Sequence, residues 1–274
     1  MANFLRQSKL MGTVNFTKGI NDANPKDKTG IMMQKPVPYR NLTFFEDFLQ
    51  YNLADYTVTK VEAGSGSATV APGNTERNGA LVITNDNAAS DQVNIMLGNN
   101  SSTGNGAFHF DANEDLWFDW RLKLSDISSS NIEAFIGLCT PNTSLTIFSS
   151  KDCLGFYFDS LIGSYPLFLF SSATNGGNFD VNNDLFSELN IQNDEYFNLS
   201  FVWNSKEKSI TAFINDRVFA RRQFNLGDPL DLLSRLPDSG GGMTPLLQLK
   251  NLNTANNSMT VDYIWVGQER KERF

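Results

Sequence analysis

Between Tyr196 and Gln223 apolar and polar residues alternate with the two-residue period of a half-buried strand. Phe197, Leu199, Phe201 and Trp203 share one face, and Asn198, Ser200 and Asn204 the other. Ser205–Lys208 is polar and reads as a turn. Ile210, Ala212 and Ile214 then line one face of a second strand, and Asn215-Asp216 lead into a third at Arg217–Arg222. Asn and Asp tolerate the positive φ of a tight hairpin turn, so the stretch predicts a three-strand antiparallel meander. The same period runs through Leu116–Leu124, where Leu116, Phe118, Trp120, Leu122 and Leu124 form an apolar face opposite Trp117, Asp119, Arg121 and Lys123. Trp117 stands among charges and is either covered by a neighbouring element or exposed for a ligand.

Further strands are expected at Leu42–Phe48, Tyr56–Val61, Ala80–Thr84, Gln92–Leu97, Glu133–Cys139, Leu154–Asp159, Leu167–Ser171, Leu246–Lys250 and Met259–Val266. In the last of these, alternation puts Val261, Tyr263 and Trp265 on one face. Residues 63–79 and 98–106, rich in Gly, Ser and Asn, read as loops. Asp228–Leu236 reads as a short helix, with Asp228 as N-cap and Pro229 in the first position. Residues 1–43 hold no sustained period, and Asn24-Pro25, Lys35-Pro36 and Val37-Pro38 interrupt any element that might begin there. The expected organisation is an extended basic arm at 1–43, a sandwich of two antiparallel sheets at 44–267, and a charged tail at 268–274.

Composition sharpens this picture. A hydrophobic content of 41% with 22 Phe, against 19% charged residues, supplies a core and excludes a disordered chain. The net charge of −8 is uneven: residues 1–43 carry +5, leaving −13 on the remainder. The arm is sparse in charge and includes Met11, Met32 and Met33, which suits docking on a protein surface better than on nucleic acid. No run of 18 apolar residues predicts a membrane span, and the first residues lack the apolar stretch of a signal peptide. Cys139 and Cys153 are the two cysteines; on neighbouring strands they could meet, but in a reducing compartment buried thiols are the expectation.

The phrase Ile210-x-Ala212-x-Ile214-Asn215-Asp216-x-Val218-x-Ala220 after an aromatic strand resembles the central hairpins of concanavalin A-like jelly-roll domains of the LamG, pentraxin and legume-lectin type. Phe44-x-Glu46-Asp47-Phe48 is similar to their first strand, and Val261-Asp262-Tyr263-Ile264-Trp265 to their closing one. Taken over residues 42–267, the chain also resembles concanavalin A/LamG-like structural proteins of tailed bacteriophages. That resemblance implies a virion protein made in the host cytoplasm, a capsid decoration or cement protein present in many copies. It would attach to the major capsid protein or another virion protein through its arm, with Arg6, Lys9, Lys18, Met32, Met33 and Lys35 as contacts. The alternative is an adhesin that binds host glycans, and neither reading requires membrane or nucleic acid.

Chemistry in the chain is thin. The single histidine, His109, alternates with Phe108 and Phe110 and reads as structural or merely exposed, not catalytic. The E-x-D-x-E triple that some concanavalin A-like glycoside hydrolases use is absent, so no enzyme and no catalytic residue is expected. Asp111-x-Asn113-x-Asp115 and Asp180-x-Asn182-x-Asp184 begin like a calcium loop, but Leu116 and Leu185 stand where its glycine belongs. No cofactor is expected, with Ca2+ at Asp111, Asn113 and Asp115 as the one candidate. Trp117, Tyr157 and Tyr165 are the aromatics eligible to stack on a sugar ring.

Overall fold

In the computed structural model the described residues are 41–49, 51–73, 79–97, 106–127, 131–141, 151–158, 166–171, 191–224, 236–237 and 242–269. They form two large antiparallel sheets. The central meander is β11 (Phe197–Asn204), β12 (Ser209–Ile214) and β13 (Arg217–Gln223). Its turns follow from sequence: Asn204 Oδ1 accepts from Lys206 N and Glu207 N at 3.0 and 3.1 Å. Asn215 and Asp216 have φ of 49° and 61°, the left-handed pair that matches the twist of a two-residue hairpin.

The remaining strands in chain order are β1 (Asn41–Glu46), β2 (Tyr56–Val61), β3 (Thr69–Pro72), β4 (Leu81–Thr84), β5 (Gln92–Leu97), β6 (Phe108–His109), β7 (Leu116–Leu124), β8 (Ile132–Cys139), β9 (Cys153–Phe158), β10 (Pro166–Ser171), β14 (Gly242–Asn251) and β15 (Ser258–Glu269). The eight-stranded sheet runs β13-β12-β11-β7-β15-β4-β3, with β1 on β15. The seven-stranded sheet runs β10-β9-β8-β14-β5-β2, with β6 on β14. β15 gives one edge to β7, while β4 and then β1 share the other. Asn41 pairs with Glu269, so the first and last described strands lie together and reach beyond the limits of 44 and 267 set from sequence.

Between the sheets lies one apolar cluster. Phe168 of the seven-stranded sheet meets Phe201 of the eight-stranded sheet edge-on at 5.2 Å, and Phe201 stacks on Phe118 at 4.7 Å. Such aromatic pairs add about 1 kcal/mol each to the burial of their area. At one end a group of buried asparagines clasps the sheets: Asn85 Nδ2 donates to Leu249 O and Asn251 Oδ1, and Asn257 Nδ2 to Asn251 Oδ1. Buried amides persist because they are paired in this way.

Three differences from the sequence reading have physical causes. β3 lies inside the stretch read as loop; it is a short, largely exposed edge strand ending in Pro72, and so carries no apolar period. A bulge between Val261 and Tyr263 leaves Asp262 as the extra residue. Val261 and Ile264 therefore both face the core, while Tyr263 and Trp265 turn to the outer face. β14 is longer than Leu246–Lys250 because Pro245 falls between the segments paired to β6 and β5, where its missing N–H breaks no bond on that edge. The helix at Asp228–Leu236 lies outside the described residues except for Leu236, which is buried. Of the arm expected at 1–43, residues 1–40 lie outside the described residues and 41–43 belong to β1.

Candidate functional site

An outer sheet face ordinarily exposes polar side chains, so buried apolar groups there are the informative case. On the outer face of the seven-stranded sheet, Met96, Phe135, Cys139, Cys153 and Leu246 form a second apolar cluster, and Tyr157 packs against it. Strand register builds the face row by row. Gly155 pairs with Gly137, which pairs with Leu246 and then Met96. The next row is Tyr157, Phe135, Gln248 and Asn94, and the third is Glu133, Lys250 and Gln92.

The two glycines permit this floor. A Cβ on Gly137 would meet Leu154 O at 2.3 Å and Phe135 Cζ at 2.9 Å, and one on Gly155 would meet Ile136 O at 2.5 Å and the same Phe135 carbon at 2.9 Å. The Phe135 ring therefore lies along its own strand over the glycine pair. Beside it the face becomes polar and half-exposed. Lys250 Nζ is 2.7 Å from Glu133 Oε2, with the side chains 27% and 23% exposed, and the Tyr157 hydroxyl donates to Glu133 Oε1. Gln248 Nε2 donates to Gln92 Oε1 at 3.4 Å. An ammonium has three protons and a carboxylate about four lone-pair sites, so this pair keeps capacity for further hydrogen bonds.

The residues singled out from sequence fare differently. Tyr157 belongs to this face. Trp117 lies on the outer face of the other sheet and is only 7% exposed, so its ring offers no open platform for a sugar. Tyr165 lies outside the described residues, as do Arg6, Lys9, Lys18, Met32, Met33 and Lys35. Asp111, Asn113 and Asp115 serve the turn before β7. Asp111 Oδ1 accepts from Asn113 N at 2.7 Å, and Asp115 Oδ1 from Ser205 N at 2.7 Å. The cation beside Asn113 Oδ1 is the Lys208 ammonium at 3.1 Å. Among the described residues no group of three or more His, Cys, Asp and Glu could hold a metal ion. His109 is exposed on β6, and its main chain exchanges hydrogen bonds with the Gln268 amide.

Glu133, Lys250, Gln92 and Gln248 were not candidates in the sequence. Each is the polar position of an alternating strand, and only the register that joins β8, β14 and β5 gathers them.

The sandwich, its sheet orders and its lack of described helices other than a single turn at Leu53–Asp55 define a concanavalin A-like jelly roll. Solved structures of this architecture are similar to the chain. The endo-1,3-β-glucanase of Streptomyces sioyaensis matches with a TM-score of 0.53 and 13% identity, covering 86% of this chain and 99% of that one. The winged bean acidic lectin complexed with methyl-α-D-galactose matches at 0.50 and 10% identity, covering 85% and 100%. At such identities the likeness is one of fold. No protein-family model and no curated protein matches the chain.

Proposed function

We propose that the protein is a lectin-like carbohydrate-binding module whose ligand lies on the outer face of the seven-stranded sheet. The observation that carries this reading is the half-exposed cluster of Tyr157, Glu133 and Lys250 beside the Phe135 floor. Sugars present alternating hydroxyls and apolar ring faces. Glu133 would accept from hydroxyls, Lys250 and the Gln92 amide would donate to them, and the Tyr157 ring would meet an apolar face. Because Glu133 and Lys250 offset each other, a neutral glycan suits the cluster better than an acidic one. The fold adds support, being shared with a glucanase and with a lectin solved with a methyl galactoside.

Binding without cleavage is the reading for this face. Glycoside hydrolysis places two carboxyl groups about the scissile bond. Among the described outer residues of β8, β9 and β14, Glu133 is the single carboxylate. Nothing in the described residues or the neighbours supports attachment to a capsid, and residues 1–40 of the arm expected for that role lie outside the described residues.

A glycan array with the wild type, Glu133→Gln and Tyr157→Ala tests the proposal. Signal on neutral glycans that falls about tenfold or more in both variants is the expected result. Binding that survives both substitutions, or silence of the folded wild type across the array, would overturn it.

A further inference from the structure

We infer that Cys139 and Cys153 are an oxidisable dithiol that closes into a cross-strand disulfide between β8 and β9. The inference is independent of the glycan reading. The two residues face each other in register, and both are fully buried in the outer cluster of the seven-stranded sheet. Their sulfurs are 2.7 Å apart, well inside ordinary non-bonded sulfur contact.

The backbone explains why the thiols meet. In an antiparallel ladder, pairs that exchange hydrogen bonds alternate with pairs that do not. Thr140 N donates to Asp152 O at 2.9 Å, so Thr140 and Asp152 are the bonded pair and Cys139 and Cys153 the adjacent non-bonded one. Non-bonded partners lie about 4.5 Å apart at Cα with side chains converging. That spacing is within the range of about 4.4–6.8 Å that a disulfide spans. Cys139 is the last residue of β8 and Cys153 the first of β9. Strand ends open more readily than strand centres, which gives a small reagent access to otherwise buried sulfurs.

The reaction balances with a small-molecule disulfide such as oxidised glutathione. One cysteine attacks it and displaces the first small thiol, giving a mixed disulfide. The second cysteine then attacks the protein sulfur of that bond and displaces the second small thiol. The protein loses two electrons and two protons, and both small thiols carry them away. The product joins the two ends of the 139–153 connection, which removes freedom from the unfolded chain more than from the folded one.

The test incubates the full chain with oxidised glutathione or with dithiothreitol, alkylates in denaturant and maps peptides by mass. After oxidation the peptides containing Cys139 and Cys153 should be joined and unalkylated, and after reduction both should be alkylated. The oxidised form should also melt about 6 °C or more above the reduced form. Cys153→Ala keeps the site apolar and should abolish the difference in melting temperature. Two alkylatable thiols after oxidation in sub-denaturing urea, which loosens strand ends, would overturn the inference. So would a stable mixed disulfide as sole product, or a difference in melting temperature that persists in Cys153→Ala.

Discussion

The outer face of the eight-stranded sheet carries Trp117, Asp119, Arg121, Tyr263 and Trp265; that of the seven-stranded sheet carries Phe135, Tyr157, Glu133 and Lys250. Both mix aromatic rings with charge, but they use the charge differently. On the first, Tyr263 donates to Asp119 at 3.2 Å, Arg121 is paired with Asp262 at 2.7 Å, and Arg121 and Lys123 lie over the Tyr196 ring at 4.7 and 4.8 Å. These polar groups answer one another within the sheet. On the second, the Glu133–Lys250 pair is partly exposed, Tyr157 donates to the same carboxylate, and the ammonium and carboxylate have more hydrogen-bonding sites than these two contacts use. The same residue types thus interlock across the first face, whereas on the second they form one ion pair beside an apolar floor that the glycine pair beneath Phe135 permits.

Gly137→Ala is the substitution that should break this contrast most severely. The new methyl would sit 2.3 Å from the Leu154 carbonyl oxygen and 2.6 Å from Gly155 Cα, both backbone atoms that cannot rotate away. Overpacking of this kind costs about 3 kcal/mol, and Phe135 must leave its place over the strand. Urea unfolding should show the loss, and glycan binding should fall with it. An unchanged midpoint would mean that β8 and β9 are further apart than the register gives.

Smaller, and specific to the other face, is Tyr263→Phe. Burial first, and then the Asp119 carboxylate, push the Tyr263 phenol well above its ordinary value of 10.0. Removing the hydroxyl deletes a donor to the buried Asp119, at a cost of about 1–2 kcal/mol. The pH dependence has a definite sign. A phenol whose folded-state value is raised is held neutral by the fold, so its contribution is complete below about pH 10 and is lost as pH rises beyond it. Melting temperatures from about pH 8 to about pH 11 should therefore fall more steeply for the wild type than for Tyr263→Phe. Parallel curves would show that Tyr263 is not the responsible group. Tyr56, raised by burial and then by Glu46, shares the sign and remains in both proteins as a common background.

How far these faces could be read from sequence depends on which physical rule sets each feature. Alternation located the ends of β7 because Leu116, Phe118, Trp120, Leu122 and Leu124 all face the core, and burial of one face enforces that period. Alternation failed at Asp262, where one extra residue inverts the parity, and a bulge leaves no mark in a list of apolar positions. It also failed at β3, whose edge position removes the reason to alternate. The candidate site was largely invisible. Tyr157 and Glu133 are 24 positions apart, and Glu133 and Lys250 are 117 apart, so nothing local to any of them marks the cluster. Trp117 stood out because it interrupts a charged face, yet the fold buries it.

The Arg221–Glu207 pair gives the smallest effect and sets the scale for the rest. Its atoms are 2.7 Å apart, as in the Lys250–Glu133 pair, but the side chains are 58% and 53% exposed at the edge of the eight-stranded sheet. Equal distances do not mean equal energies. At such exposure water screens the charges, and ordering two long side chains offsets most of the attraction. Arg221→Ala should shift unfolding by less than about 0.5 kcal/mol and leave glycan binding untouched. A loss of binding in this variant would place part of the ligand contact on the eight-stranded sheet, and the site proposed on the seven-stranded sheet would have to be redrawn around that edge.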